Sequence, residues 1–154
     1  MKKLIPFLLA ITLISGLAAC NSYGKKYDYN KNQNVYYKGD GLDEAAARKL
    51  ADYLGRIQYF GGDKELSVQL LKTPETKDTV TINFVVDKTR VTPVIEKEFI
   101  KIGGYISTAV YDKGPVKVGL VDTEMKEVSK LGYAAPLNED DTPAGDHNKE
   151  GGVQ

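Results

Sequence analysis

The sequence predicts an α+β fold: one antiparallel sheet with two helices on a single face, in the chain order strand, helix, strand, strand, helix, strand. Three observations carry this. Residues 44–60 and 93–110 repeat apolar side chains at helical spacing. Residues 66–71, 80–86 and 116–120 alternate apolar and polar side chains with the period of a strand. Only one face of these strands is wholly apolar, so one side of the sheet is covered and the other is left to solvent.

The elements follow in order. Residues 21–34 (NSYGKKYDYNKNQN) are polar, show neither period and read as part of a flexible tether. Lys25, Lys26 and Lys31 are interspersed there with Tyr23, Tyr27 and Tyr29; this suits a solvated spacer, with contact to lipid headgroups as the alternative. Residues 35–38 (VYYK) are strand formers that end at the turn cluster Gly39-Asp40-Gly41. Asp40 or Asp43 caps the first helix, and Ala46, Leu50, Leu54 and Ile57 form its apolar stripe. Gly61-Gly62 ends it. Leu66, Val68 and Leu70 form a hairpin with Val80, Ile82, Phe84 and Val86 across a turn at 73–78.

The second helix starts at Thr92, with Pro93 at the first position, where its missing N–H costs little. Its stripe of Ile95, Phe99, Ile102, Ile106 and Val110 runs straight through Gly103-Gly104. Glycine costs about 1 kcal/mol relative to alanine inside a helix, so this pair predicts a close approach of helix to sheet. A phosphate-cradling turn would put glycines at the start of a helix instead. Val116, Val118 and Leu120 form the next strand, and a turn at 122–124 leads to a possible extra edge strand at 127–131. Residues 133–154, rich in Pro, Gly, Asn, Asp and Glu, read as a disordered tail. This is the split βαβ (βαββαβ), or ferredoxin-like, arrangement in a domain at 35–132, with right-handed crossovers. Tyr36-Tyr37-Lys38 with Glu44-Ala45-Ala46, and residues 68–86, resemble an uncharacterised bacterial α/β module; the resemblance implies no activity.

The N-terminus carries an address. Lys2 and Lys3 precede an apolar run at 4–14, interrupted by Pro6 and shorter than the about 20 residues a membrane-spanning helix needs. That is the layout of a secretory signal. Leu17-Ala18-Ala19-Cys20 resembles the lipobox of bacterial lipoproteins. The resemblance implies that residues 1–19 are a signal peptide cut between Ala19 and Cys20. It also implies that the Cys20 sulfur carries diacylglycerol, with residues 20–34 as lipidated cysteine and tether. Asn21 in the next position resembles lipoproteins sorted to the outer membrane, with the domain facing the periplasm. Cys20 is the sole cysteine, so an intramolecular disulfide cannot form.

Composition and motifs bound the function. Loss of Lys2 and Lys3 from 21 basic and 21 acidic side chains leaves 19 against 21, a net charge of −2, so nucleic acid is not an expected partner. The sole histidine, His147, lies in the predicted tail, without the surroundings that orient a metal ligand or general base. Glu139-Asp140-Asp141 with Asp146 lacks the spacing of a calcium loop. There is no phosphate-binding, dinucleotide-binding or serine-hydrolase motif. The sequence therefore names no catalytic residue and no metal ligand, and implies no cofactor.

Strand parity names a surface instead. With Val80, Ile82, Phe84 and Val86 toward the helices, Thr81, Asn83 and Val85 point outward, joined by Gln69, Leu71, Lys117, Gly119, Val121 and Tyr36. Tyr36, Gln69, Thr81, Asn83 and Lys117 are the candidate binding residues; a plain solvated sheet is the alternative. Three readings follow. One is a lipid-anchored, non-catalytic binding or assembly module for an envelope protein or glycan. The others are a carboxylate-based periplasmic hydrolase and a structural accessory subunit of an envelope complex. Peptidoglycan-binding SPOR domains are similar in element order, which is a likeness of fold alone.

Overall fold

Asp43 and Thr92 start the two helices, as the sequence predicts. In the computed structural model, which describes residues 23–76 and 78–141, the Asp43 carboxylate accepts from the Ala46 N–H at 2.8 Å, and Thr92 Oγ1 from the Ile95 N–H at 3.3 Å. Each bond satisfies an N–H that a helix start leaves without an intrahelical partner. Helix α1 spans Glu44–Arg56 and α2 spans Pro93–Tyr111. α1 stops before the expected Gly61-Gly62, because Gln58 turns left-handed at φ 61° and its N–H bonds the Gly55 carbonyl, three residues back instead of four.

Six strands appear among the described residues: β1 (Lys25–Asp28), β2 (Gln33–Lys38), β3 (Leu66–Leu71), β4 (Val80–Val85), β5 (Val116–Val121) and β6 (Glu127–Ala134). They form one sheet in sequential order. β1/β2, β3/β4 and β5/β6 pair antiparallel; β2/β3, joined through α1, and β4/β5, joined through α2, pair parallel. The α+β class stands, with both helices on one face of the sheet: Leu50 and Leu54 of α1 share a single core with Ile106 and Val110 of α2.

Four expectations need correction. The sheet is mixed, and no strand is inserted between the partners of either crossover, so the ferredoxin-like split order is absent. The crossovers are also not both right-handed. β4 and β5 run opposite to β2 and β3, while both connections step the same way across the sheet and pass over the same face, which gives them opposite hands. In addition, the stretch read as tether holds β1. Tyr29 and Asn30 N–H groups both reach the Gln33 carbonyl, at 2.9 and 3.2 Å, closing a tight turn. Tyr27 packs against the core, and the ring of Tyr29 lies 5.5 Å from that of Phe60. An edge strand with one wet face needs only these two rings, which is why its polar composition hid it.

Residues 133–141 are likewise not a loose tail. β6 continues to Ala134, the Leu137 N–H donates to the Gly104 carbonyl at 3.1 Å, and Arg56 Nη2 meets Glu139 Oε1 at 2.7 Å. The chain therefore crosses the helix layer after β6. Ala19, Cys20, Asp146 and His147 lie outside the described residues.

The core is built in rows. Val35, Val68, Phe84 and Leu120 stand side by side across β2–β5, and Tyr37, Leu70, Ile82 and Val118 form the next row; all are buried. The α2 stripe covers this face from Phe99 onward, whereas Val94 and Ile95 are exposed. Nineteen residues of helix run about 28 Å and six of strand about 20 Å, so the first turn of α2 overhangs the sheet. Gly103 and Gly104 lie where the sequence puts a close approach: a Cβ on Gly103 would strike Val118 Cγ2, and one on Gly104 would sit 2.5 Å from the Ala135 carbonyl oxygen.

Gln33 is a fully buried polar residue that splices the β1–β2 hairpin to the loop after α1. Its Nε2 donates to the Gly61 and Lys64 carbonyls at 3.0 and 3.2 Å, and its Oε1 accepts from Asn30 Nδ2 at 2.7 Å. Replacing it with methionine keeps the length but leaves two carbonyls without this donor. The expected loss is about 1–3 kcal/mol, read as a lowered urea midpoint; an unchanged midpoint would mean that water replaces the amide.

Candidate functional site on the open face of the sheet

The face opposite the helices carries every candidate binding residue that parity named. Tyr36, Gln69, Asn83 and Gly119 stand in one row across β2–β5. Leu71, Thr81 and Lys117 stand in the next, flanked by Lys38 on β2 and Tyr133 on β6. No described element covers these rows.

The first row is a bonded ladder. Asn83 Nδ2 donates to Gln69 Oε1 at 3.1 Å, and Gln69 Nε2 donates to the Tyr23 carbonyl at 3.2 Å. Gln69 is only 5% exposed, so its amide is committed to holding Tyr23 and Asn83 in place. The Tyr23 ring stands edge-on to Tyr36 with centroids 5.9 Å apart. Gly119 leaves room for Asn83, since a Cβ there would strike Asn83 Oδ1. In the second row, Lys117 Nζ lies 4.8 Å from the centre of the Tyr133 ring, a cation–π pair that holds a lysine upright on the face.

From Gln69 and Leu71 across to Tyr133, these rows floor a concavity of about 570 Å³, bordered by Thr73, Glu75, Met125, Glu127 and Lys130. It offers amide donors and acceptors, hydroxyls, two ammonium groups, two carboxylates and an aromatic ring. Lys130 and Tyr133 are members that sequence reasoning missed, because Tyr133 was placed in the tail and two register irregularities in the β5/β6 pair hide which β6 side chains share the face. Tyr23 was missed because it was assigned to the tether.

A second, broader groove of about 1100 Å³ lies at the end of the sheet where β4 and β5 finish, with Lys64, Lys88, Arg90, Asp87 and Asp122 among its lining. Its two aspartates serve their own turns. Hydrogen bonds from the Thr89 hydroxyl and N–H hold Asp87 below the usual carboxylate range, and N–H groups of Lys126 and Glu124 do the same for Asp122. Both stay ionised near neutrality, so neither supplies a proton there. Asp43 is occupied as a helix cap. Glu139 accepts from Tyr53 Oη at 3.1 Å, and burial followed by this bond pushes the Tyr53 phenol up to about 12. Among the described residues, no group of three or more His, Cys, Asp or Glu could hold a metal ion, and no helix is long and apolar enough to cross a membrane.

The model of the AF_1994_N family, a family N-terminal domain, matches residues 26–133. The chain belongs to that family. The matched stretch begins inside β1 and ends inside β6, so it takes in both helices and all of the sheet but Lys25 and Ala134. It thus includes residues read from sequence as tether. No curated protein and no solved structure matches the chain.

Proposed function

We propose that this chain is a lipid-anchored, non-catalytic recognition module of the bacterial envelope, fastened through Cys20 and recognising its partner with the open sheet face. The observation that carries the reading is the uncovered face itself. Its polar side chains are ordered by one another, as in the Tyr23–Gln69–Asn83 ladder, and floor a concavity. Prearranged donors and acceptors lower the cost of binding. The charged, apolar and small-residue order ending in Leu17-Ala18-Ala19-Cys20 supports the anchor. Asn21 supports placement in the outer membrane with the domain toward the periplasm.

The test compares the full chain with two variants in a bacterial host. The parent is expected to carry diacylglycerol by intact mass and to sediment with membranes, and Cys20→Ser to lose both. Thr81→Arg with Asn83→Arg and Lys117→Glu is expected to keep the anchor but to lose recovery of envelope material after mild detergent extraction. Undiminished recovery would remove the sheet face from the reading; an unacylated parent would remove the anchor.

A further inference from the structure

We infer that the open face of the sheet lies against the anionic headgroup layer of the membrane that holds Cys20. This rests on the anchored reading above, and it names the surface which the recognition face meets.

The chain enters the domain across this face. Gln69, in the middle of the sheet, holds the Tyr23 carbonyl at 3.2 Å, and the Tyr23 ring leans on Tyr36. Cys20 lies three residues earlier, which is at most about 11 Å of fully extended chain. The expected fifteen-residue tether would have let the domain tumble; with β1 folded back into the sheet, three residues remain. The far side carries α1 and α2, and a helix alone is about 10–12 Å across. A lipidated sulfur on so short a lead therefore brings the headgroups to the side on which Tyr23 sits.

The chemistry of the face fits that neighbour. Its two central rows present Lys26, Lys38, Lys117 and Lys130. The carboxylates Asp28 and Glu127 fall in the outer row and Glu75 on the rim, and Asp28 pairs with Lys26 at 2.9 Å. Tyr23, Tyr36 and the 62%-exposed Tyr133 stand among the lysines. Lysines favour anionic lipid and tyrosines the membrane interface. At the other end the chain leaves on the opposite side, where Glu139 is held by Arg56 against α1, so the acidic stretch beginning there faces away from the lipid.

The experiment uses the full acylated protein in vesicles of phosphatidylethanolamine with phosphatidylglycerol, and a charged maleimide as probe. Because Cys20 is the only cysteine and is acylated in this reading, the parent should not label, and Thr81→Cys on the open face or Arg48→Cys on the outer side of α1 gives a single reactive thiol. Labelling of Thr81→Cys is expected to slow about tenfold on moving from detergent into vesicles, since even two lysines at an anionic surface shift the docking equilibrium by more than that. Arg48→Cys should label equally in both. Adding Lys117→Glu and Lys130→Glu should restore labelling of Thr81→Cys.

A parent that labels, or lacks lipid by mass, overturns the anchor and this inference together. An acylated protein that floats with vesicles but labels at Thr81→Cys as fast as in detergent keeps the anchor and overturns the orientation. Protection in native membranes but not in protein-free vesicles assigns the face to an envelope protein or glycan and overturns its assignment to lipid. Protection indifferent to the two lysine reversals overturns docking by charge.

Discussion

Truncating Phe84 to alanine is expected to lower the unfolding free energy by about 3–5 kcal/mol. Phe84 lies on a central strand with no exposed surface, and its ring is the hub of an aromatic cluster. Centroids of Phe99 and Tyr59 lie 4.8 and 5.3 Å from it, and Tyr59 in turn lies 5.8 Å from Phe60. The cluster joins α2, through Phe99, to the loop after α1, through Tyr59 and Phe60. Burial in it pushes the Tyr59 phenol well above its ordinary range. A domain of this size is held by about 5–15 kcal/mol in all, so the truncation takes a large share. Urea unfolding followed by circular dichroism would measure it, with Phe84→Leu as the volume-sparing comparison, expected to cost less. A Phe84→Ala loss within about 1 kcal/mol of the parent would mean that the cluster collapses to fill the space, contrary to the usual partial relaxation of cores.

Gly103→Ala is expected to destabilise the protein by about 1–3 kcal/mol, although helix propensity alone favours alanine by about 1 kcal/mol. The two effects have opposite signs, so the experiment decides between them. The added Cβ would meet Val118 Cγ2 within contact distance and Ala134 Cβ at 3.0 Å, and both belong to strands under α2. A β-branched valine has little rotamer freedom with which to yield, so the helix must lift from β5 and β6. The coupling is testable by adding Val118→Ala. In the Gly103→Ala background that second change should cost less than in the parent, by more than the few tenths of a kcal/mol expected of independent sites. A raised urea midpoint for Gly103→Ala would show that the sheet accommodates the methyl and that the glycine serves something other than close packing.

The candidate site was legible in proportion to how local its signal is. Tyr36, Gln69, Thr81, Asn83 and Lys117 could be placed on one face because side-chain parity has a period of two. Once Ile82 and Phe84 are known to face the core, their neighbours must face away, whatever strand lies alongside. Lys130 escaped because a bulge changes parity without leaving a mark in composition, and Tyr133 because it falls in the stretch that reads as tail. Tyr23 escaped because nothing in residues 21–24 announces that a buried glutamine 46 positions later will hold its carbonyl.

By itself, the amino-acid sequence determined what is settled within a few residues: the caps at Asp43 and Thr92, Pro93 at the helix start, the α2 stripe from Phe99 to Val110, and the face each central strand buries. Capping bonds and side-chain periods span three or four positions, so the chain carries them wherever it goes. Only the tertiary structure decided which strands are neighbours beyond the β3/β4 hairpin, the opposite hands of the two crossovers, the recruitment of Lys25–Asp28 as an edge strand, and the path of residues 135–141 over the helices. Those depend on partners distant in sequence, and an apolar strand face fits any other apolar strand face equally well until the whole sheet is assembled.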